Sequence, residues 1–259
     1  MTFIIAEAGV NHNGDLGQAI LLANAAKAAG ADAVKFQHFN SRRLWGDDRI
    51  AHLELSDAEM ANIAWHCQTL GIEFMCTPFG IPEAEFLAPL VKRMKIASGC
   101  LERWGLLEAV RDTGLPVILS TGMADMDRVA GAVAMFPAQP LTLLHCTSAY
   151  PCPTAEVNLA AMDALRARWG ASAAVGYSDH TPGIVIALAA VARGAAVLEK
   201  HLTLDRGQDG PDHKASIEPD AFRVMAGAIR EIELAIGRPE KRVQPSEAET
   251  MEAWYGDQR

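Results

Sequence analysis

The stretch LEKHLTLDRGQDGPDHKAS starts as a buried strand would, ends its apolar run in Glu199, Lys200 and His201, and then stays polar. A second apolar run, AAVGYSDH, closes on Ser178, Asp179 and His180. Two imidazoles with oxygen donors suit Mn²⁺, Fe²⁺ or Zn²⁺ better than Ca²⁺. The plainer alternative is that each ring only hydrogen-bonds its neighbours. Lys35 and Lys95 carry the charge to neutralise a buried phosphate or carboxylate. Two competing uses are a Schiff-base amine and a structural ion pair. Glu7 stands beside GVNHNG, where Asn11, His12, Asn13 and Gly14 form a polar loop, and by itself this reads as a solvated carboxylate before an Asn-Gly turn.

These residues need elements to bring them together. Short β-rich apolar runs recur at 3–9, 32–37, 72–78, 93–98, 116–122, 141–148, 173–180 and 195–201. Between them lie helical segments. LGQAILLANAAKAAG closes on Gly30, SDAE at 56–59 is a capping box opening a helix that stops at Gly71, and others start at Pro82, Asp125, Pro182 and near Pro219. Strict alternation of strand and helix with short links implies parallel strands, and eight such units are the (β/α)8 TIM barrel pattern. A doubly wound open sheet is the alternative, weakened because no GxGxxG follows the first strand. The expectation is a single α/β domain over residues 1–259, with residues 238–259 as a C-terminal tail.

Strands buried on both faces should stay apolar to their ends, yet every run here ends in groups able to do chemistry. They are Glu7; Lys35 and Gln37; Thr77; Lys95 and Ser98; Ser120 and Thr121; His145, Thr147 and Ser148; Ser178, Asp179 and His180; Glu199 and His201. The carboxyl end of a barrel is where sites are built. Side-chain alternation puts Lys35 with Gln37, His145 with Thr147, and Glu199 with His201, so Lys200 must point the other way.

The 259 residues are half hydrophobic, enough for one large core. A net charge of −9 without a Lys/Arg cluster argues against a nucleic-acid surface. The sequence has neither a secretory leader nor an apolar run of membrane-spanning length, so a cytoplasmic protein with no membrane contact is expected. Its five cysteines are odd in number, scattered, and expected to be reduced thiols.

In order and spacing, AEAGVNHNGDLGQAI, AVKFQ, CTPF, KIASG, STGM, LHCTSAYP, VGYSDHT and LEKHLTLDRGQDGPDHKAS resemble the N-acetylneuraminate (sialic acid) synthase family over roughly residues 3 to 250. The resemblance implies a barrel that condenses phosphoenolpyruvate with the open-chain aldehyde of N-acetylmannosamine or a related amino sugar. It implies a divalent ion, Mn²⁺ foremost, with Mg²⁺, Co²⁺ or Fe²⁺ as substitutes. Carried over by position, His180 and His201 are the metal ligands. Lys35, Thr77, Lys95, Ser98, Ser120, Ser148 and Ser178 form the phosphoenolpyruvate cradle, with Ser148 where one member of the family has Asn. Gln37, Tyr150 and Asp212 face the sugar, Glu7 is the acid/base, and Glu7, Lys35, Lys95 and Tyr150 count as the catalytic groups. DRGQDGPDH becomes the loop that carries Asp212, and with it His213, over the mouth.

The sequence departs from the family pattern in two places. Cys100 stands where the family often has an acidic residue able to order the attacking water, with Glu102 two residues on. The family also usually continues into a small antifreeze-like domain that reaches over the partner subunit's site and gives an arginine to the sugar, where here PSEAETMEAWYGDQR stands. The expectation is an uncapped barrel with a changed acceptor half, a homodimer being left open. The rival readings are a metal-independent Schiff-base aldolase using Lys95 or Lys35, and a non-catalytic barrel that binds a sugar phosphate.

Overall fold

In the computed structural model, which describes residues 1–256, the apolar runs become eight parallel strands. They are β1 (Phe3–Gly9), β2 (Ala33–His38), β3 (Glu73–Pro78), β4 (Met94–Ile96), β5 (Val117–Ser120), β6 (Leu141–His145), β7 (Ala173–Asp179) and β8 (Val197–His201). The ladder runs β3-β2-β1-β8-β7-β6-β5-β4. Pairing of the first strand with the last curls the sheet into a nearly closed barrel and excludes the open doubly wound sheet. The one step without ladder hydrogen bonds lies between β3 and the three-residue β4.

The helices are α1 (Leu16–Ala28), α2 (Ser41–Trp45), α3 (Asp57–Leu70), α4 (Ile81–Leu87), α5 (Trp104–Asp112), α6 (Met126–Ala134), α7 (Ala161–Trp169), α8 (Val185–Ala192), α9 (Pro219–Ile236) and α10 (Ala248–Tyr255). Local chemistry sets their ends. Ser56 and Glu59 form the expected reciprocal capping box of α3, and Gly71 ends that helix in the left-handed region, which a glycine enters without steric cost. Asp125 caps α6 by accepting from two backbone N–H groups. The start expected at Pro182 falls instead at Val185, because Gly183 adopts φ +73° and holds the preceding residues in a loop.

Residue parity divides each strand between two environments. Outward side chains such as Ile4, Val34, Phe36, Met94, Leu119, Leu143 and Leu198 join the large core under the helices. Inward side chains Ile5, Ala33, Met75, Ile118, Leu144 and Val197 form a small separate plug inside the barrel. Gly176 makes room for this plug, since a Cβ there would lie 2.7 Å from Leu144 Cδ2 and 2.3 Å from the Val197 carbonyl. Two residues further along the same inward face stand Glu7, Lys35, Thr77, Ser120, Ser178 and Glu199, so a polar layer sits directly on the apolar plug. No helix among the described residues is long and apolar enough to cross a membrane. All five cysteines are free and buried.

Candidate active site

The polar layer is built around Glu199. Its Oε1 accepts from Ser178 Oγ (3.0 Å), while Lys35 Nζ lies 3.6 Å from Oε2 and Lys95 Nζ lies 3.9 Å from Oε1. Lys35 also meets Glu7 Oε2 at 2.7 Å and donates to Thr77 Oγ1 at 3.0 Å. Lys95 donates to Ser120 Oγ (2.7 Å) and to the Ile96 carbonyl (3.1 Å). All four charged groups are buried, which is tolerable only because they pair and share hydroxyl partners.

Burial gives the two carboxylates opposite characters. Glu7 loses its water, and Lys35 and Gln37 compensate only in part against the push of Glu199, so its acidity is weakened to a pKa of about 7. Burial pushes Glu199 in the same direction, but Lys35 and Lys95, helped by the Ser178 hydrogen bond, outweigh it and hold the group well below the usual carboxylate range. Burial also lowers Lys95, whereas the two carboxylates reverse that effect at Lys35 and leave it raised.

His180 and His201 face each other across the mouth, their ring centroids 5.5 Å apart and their planes at 66°. His180 Nδ1 lies 2.7 Å from the Thr147 carbonyl, which fixes it as the N–H and leaves Nε2 as the lone-pair nitrogen, 3.4 Å from Ser178 Oγ. His201 Nδ1 is buried without a hydrogen-bond partner, with Asp212 Oδ2 3.8 Å away. Burial holds both rings in the neutral form. Tyr150 lies over His180 at 4.1 Å and beside His201 at 5.6 Å. Among the described residues, no three His, Cys, Asp or Glu side chains gather as a complete metal cage. The two imidazoles nevertheless fit a divalent ion whose remaining positions stay open: one tautomer is already oriented by a backbone acceptor, and the other ring keeps a buried nitrogen without a partner.

Of the residues expected at the site, Glu7, Lys35, Gln37, Thr77, Lys95, Ser98, Ser120, Tyr150, Ser178, His180 and His201 line one cavity at the carboxyl end of the barrel. Asp212 lines a second space that shares Gln37, Tyr150 and His201 with the first. Burial raises its carboxyl to about 6, opposed by Lys35. Ser148 stands behind the cavity wall, its Oγ buried and unpartnered. Gly122 explains how that hydroxyl approaches, since a Cβ there would lie 2.3 Å from Ser148 Oγ and 2.9 Å from both Ser98 Oγ and Cys146 Sγ.

Other expectations are corrected. His145 and Thr147 point away from the mouth, hydrogen-bonded to the carbonyls of Val157 and Glu156. His213 does not face the mouth either. It is buried against Thr203 Oγ1 (2.7 Å) and ties its loop down. Neither Cys100, in the core, nor Glu102, exposed and 3.6 Å from Arg128, lines the cavity. Lys200 points outward as alternation requires, fully buried against Asp179 (2.8 Å).

Two contributors had no assigned role in the sequence. Glu199 shares a strand face with His201, so its position was legible, but its place between two lysines was not. Asn11 donates to the Leu202 carbonyl (2.9 Å) and to Ser216 Oγ (2.8 Å), and Ser216 in turn donates to the Asp212 carbonyl (2.7 Å). The loop after β1 thereby anchors the loop that carries Asp212.

Residues 22–241 match the NeuB family. The chain is 40% identical to N,N'-diacetyllegionaminic acid synthase of Campylobacter jejuni, over 95% of this chain and 80% of that protein. It is 35% identical to human N-acetylneuraminate-9-phosphate synthase, over 95% of this chain and 74% of the relative. The crystal structure of N-acetylneuraminic acid synthetase from Leptospira borgpetersenii superposes with a TM-score of 0.91 at 37% identity, covering 100% of this chain and 93% of the other. An eight-stranded barrel whose lysines, serines and paired histidines converge at its carboxyl end, together with matches of this extent, establishes that the chain belongs to the NeuB family.

Proposed function

We propose that the protein joins phosphoenolpyruvate to the open-chain aldehyde of an amino sugar, giving a nonulosonic acid of the sialic type and inorganic phosphate. The observation that carries this reading is the buried pair Lys35 and Lys95, flanking Glu199 and ringed by hydroxyls, directly beside two neutral, facing imidazoles.

Charge explains why an anion would enter. With Glu7 ionised, two lysines and two carboxylates cancel. An arriving phosphate repels Glu7, which already titrates near neutrality, and drives it to its acid form. The pocket then presents one net positive charge to the ligand. Ser98, Ser120, Ser178 and Thr77 line the same cavity and offer hydroxyl donors for the remaining oxygens.

The proposed reaction is balanced. C3 of phosphoenolpyruvate bonds to the aldehyde carbon, water adds at C2, and the bond from C2 to the bridging oxygen breaks. The water oxygen becomes the keto oxygen, and its two protons finish on the new hydroxyl and on the departing phosphate. Bound between His180 and His201, a divalent cation would supply Lewis acidity to the aldehyde oxygen. The chain itself orients the phosphate through Lys35 and Lys95. Glu7 holds or releases a proton at its carboxyl oxygens, with Gln37 donating to Oε1 at 3.1 Å.

The Schiff-base alternative has one observation in its favour, the amine of Lys95 lowered by burial. Against it, that amine is already engaged by Ser120 and the Ile96 carbonyl. Oxygen-18 placed at the bridging position of phosphoenolpyruvate is expected in inorganic phosphate. Its retention in the keto acid, or a covalent pyruvate adduct trapped by borohydride, overturns the proposal.

A further inference from the structure

The strands that carry the two imidazoles pair only up to the residue before each of them. β7 and β8 register Ser178 with Glu199 and Asp179 with Lys200, and there their ladder stops. His201 still lies on β8, opposite Glu7 of β1. His180 stands one residue beyond β7, and its backbone is held by a loop contact, its carbonyl accepting from Cys152 N–H (2.8 Å). The ladder alone does not set the spacing of the two rings.

A link between them lies on the outer face of the strands. Lys200, the residue before His201, sends its ammonium to both chain neighbours of His180: to Asp179 Oδ2 (2.8 Å) and to the Thr181 carbonyl. Asp179 closes the same turn with its other oxygen, Oδ1 accepting from Thr181 N–H (2.9 Å) and Thr181 Oγ1 (2.8 Å). Asp179, Thr181 and Lys200 are all 0% exposed. Stability by itself does not account for a salt bridge at that depth, because apolar side chains of similar volume often fill such a layer as well or better. A hydrogen-bonded pair of charges adds what apolar packing lacks, a fixed direction and distance.

We propose that Lys200 and Asp179 are positioning residues for the two imidazoles: their ion pair, one residue back from each ring and on the opposite face of the strands, sets the separation of His180 and His201. The proposal rests on the reading of those rings as holders of a divalent ion. Two nitrogens share an ion only while they stay within about 4 Å of each other, twice a metal–nitrogen bond of roughly 2.1 Å. One residue of slip along a strand is about 3.3 Å, so a fraction of it is enough to part them. The Thr147 carbonyl fixes the tautomer of His180 (2.7 Å), and the ion pair fixes where that ring stands relative to the other. Neither Lys200 nor Asp179 lines the catalytic cavity. Ser178 and Glu199 are within the ladder and bonded to each other (3.0 Å), so the lysine cradle keeps its register without the pair.

Two affinities are measured: that for Mn²⁺, from the electron paramagnetic resonance of the free ion, and that of the metal-free protein for phosphoenolpyruvate, by calorimetry. The proteins are the unaltered chain, Lys200→Met combined with Asp179→Asn, and Ile229→Ala, at a temperature where circular dichroism shows each to be folded. The double variant removes both charges, so neither is stranded, and keeps a side-chain oxygen for Thr181. It should bind Mn²⁺ about 10- to 100-fold more weakly, the usual effect of losing a group that orients a metal ligand, with phosphoenolpyruvate affinity unmoved. Ile229→Ala opens a cavity in the buried face of α9 and should leave both affinities unchanged while lowering Tm. If the double variant does not fold, Asp179→Asn alone should show a smaller loss of Mn²⁺ affinity, and an unmoved affinity there overturns the inference. Mn²⁺ affinity unmoved in the double variant, or equally weakened in Ile229→Ala, overturns it too and leaves the metal reading standing. So does a parallel fall in phosphoenolpyruvate affinity, which would mean general loosening. If the unaltered protein binds no Mn²⁺, the metal reading itself fails and the inference with it.

Discussion

Glu7 and Glu199 have the same side chain on neighbouring strands, and their company separates their work. Glu199 has two lysines and a serine and stays ionised, whereas Glu7 shares one lysine and titrates near 7. Glu7→Gln should therefore keep the cradle positive and retain phosphoenolpyruvate binding, while kcat falls about 10²- to 10⁴-fold, the usual contribution of a positioned acid or base. Calorimetry alongside phosphate-release kinetics checks both halves, and loss of binding with unchanged kcat would show that Glu7 only shapes the pocket. For the histidines, His201→Ala should lower the amount of Mn²⁺ that dialysed protein retains, read by elemental analysis, and should abolish turnover. Retention of metal equal to the unaltered protein would remove His201 from the ligand set. The gathering of these groups was legible because parity and strand-end position are properties of sequence. Which carboxylate sits between two lysines was not, because the pairing depends on the stagger between strands.

At the scale of elements, β8 serves two compartments at once. Glu199 and His201 face the mouth, and Lys200 between them enters the helix layer, where it meets Asp179 and the Thr181 carbonyl. Lys200→Met strands a buried carboxylate and should cost about 3–5 kcal/mol of unfolding free energy. Adding Asp179→Asn should recover part of that loss, and chemical denaturation of the single and double variants tests it; no difference between them would mean that the ion pair is not what holds this layer. The loop after β1 gives a pH signature. His12 is buried, its Nε2 lacks a partner, and burial lowers its pKa from 6.5 to about 4, against the pull of Glu59 and Asp15. The unfolded chain takes up this proton first, so stability is full above pH 6.5 and is lost as pH falls toward 4, by about 3 kcal/mol at 1.36 kcal/mol per pKa unit. A His12→Gln protein should show a shallower loss over that window in denaturant titrations, and an identical slope would exclude His12 as its source. The short α2 escaped the sequence reading because five residues carry no helical period. Its signals are local ones, the Asn40 side chain capping Arg43 N–H and Gly46 in the left-handed region.

For the whole molecule, the barrel was legible because alternation of strand and helix leaves few ways to bury every strand on both faces. The missing ladder between β3 and β4 was not, because it depends on the shortness of β4 once folded. At the amino end of the barrel, α9, which packs between α8 and α1, is tied to the first strand. Arg230 bonds the Thr2 carbonyl (2.8 Å) and Asp32 (2.8 Å), and Asp32 accepts from Ile4 N–H (2.8 Å), tying the last long helix to the first strand. Beyond Gly237 the character changes. None of residues 238–256 is buried, and α10 leaves Met251, Trp254 and Tyr255 facing outward; the last three residues lie outside the described part. Removing residues 238–259 takes away no buried side chain among the described residues and leaves the Arg230 tie intact. Its effect should resemble that of exposed substitutions, within about 0.5 kcal/mol, which for a barrel of this size is a shift in Tm of roughly 2 °C or less. Phosphoenolpyruvate affinity should be unchanged, since the cradle is built wholly from strand ends in the first 201 residues. Thermal scans and calorimetry on the shortened chain measure both. A fall in Tm of many degrees would show that the outward aromatic side chains of α10 are covered in solution, and would make the tail part of the folded unit.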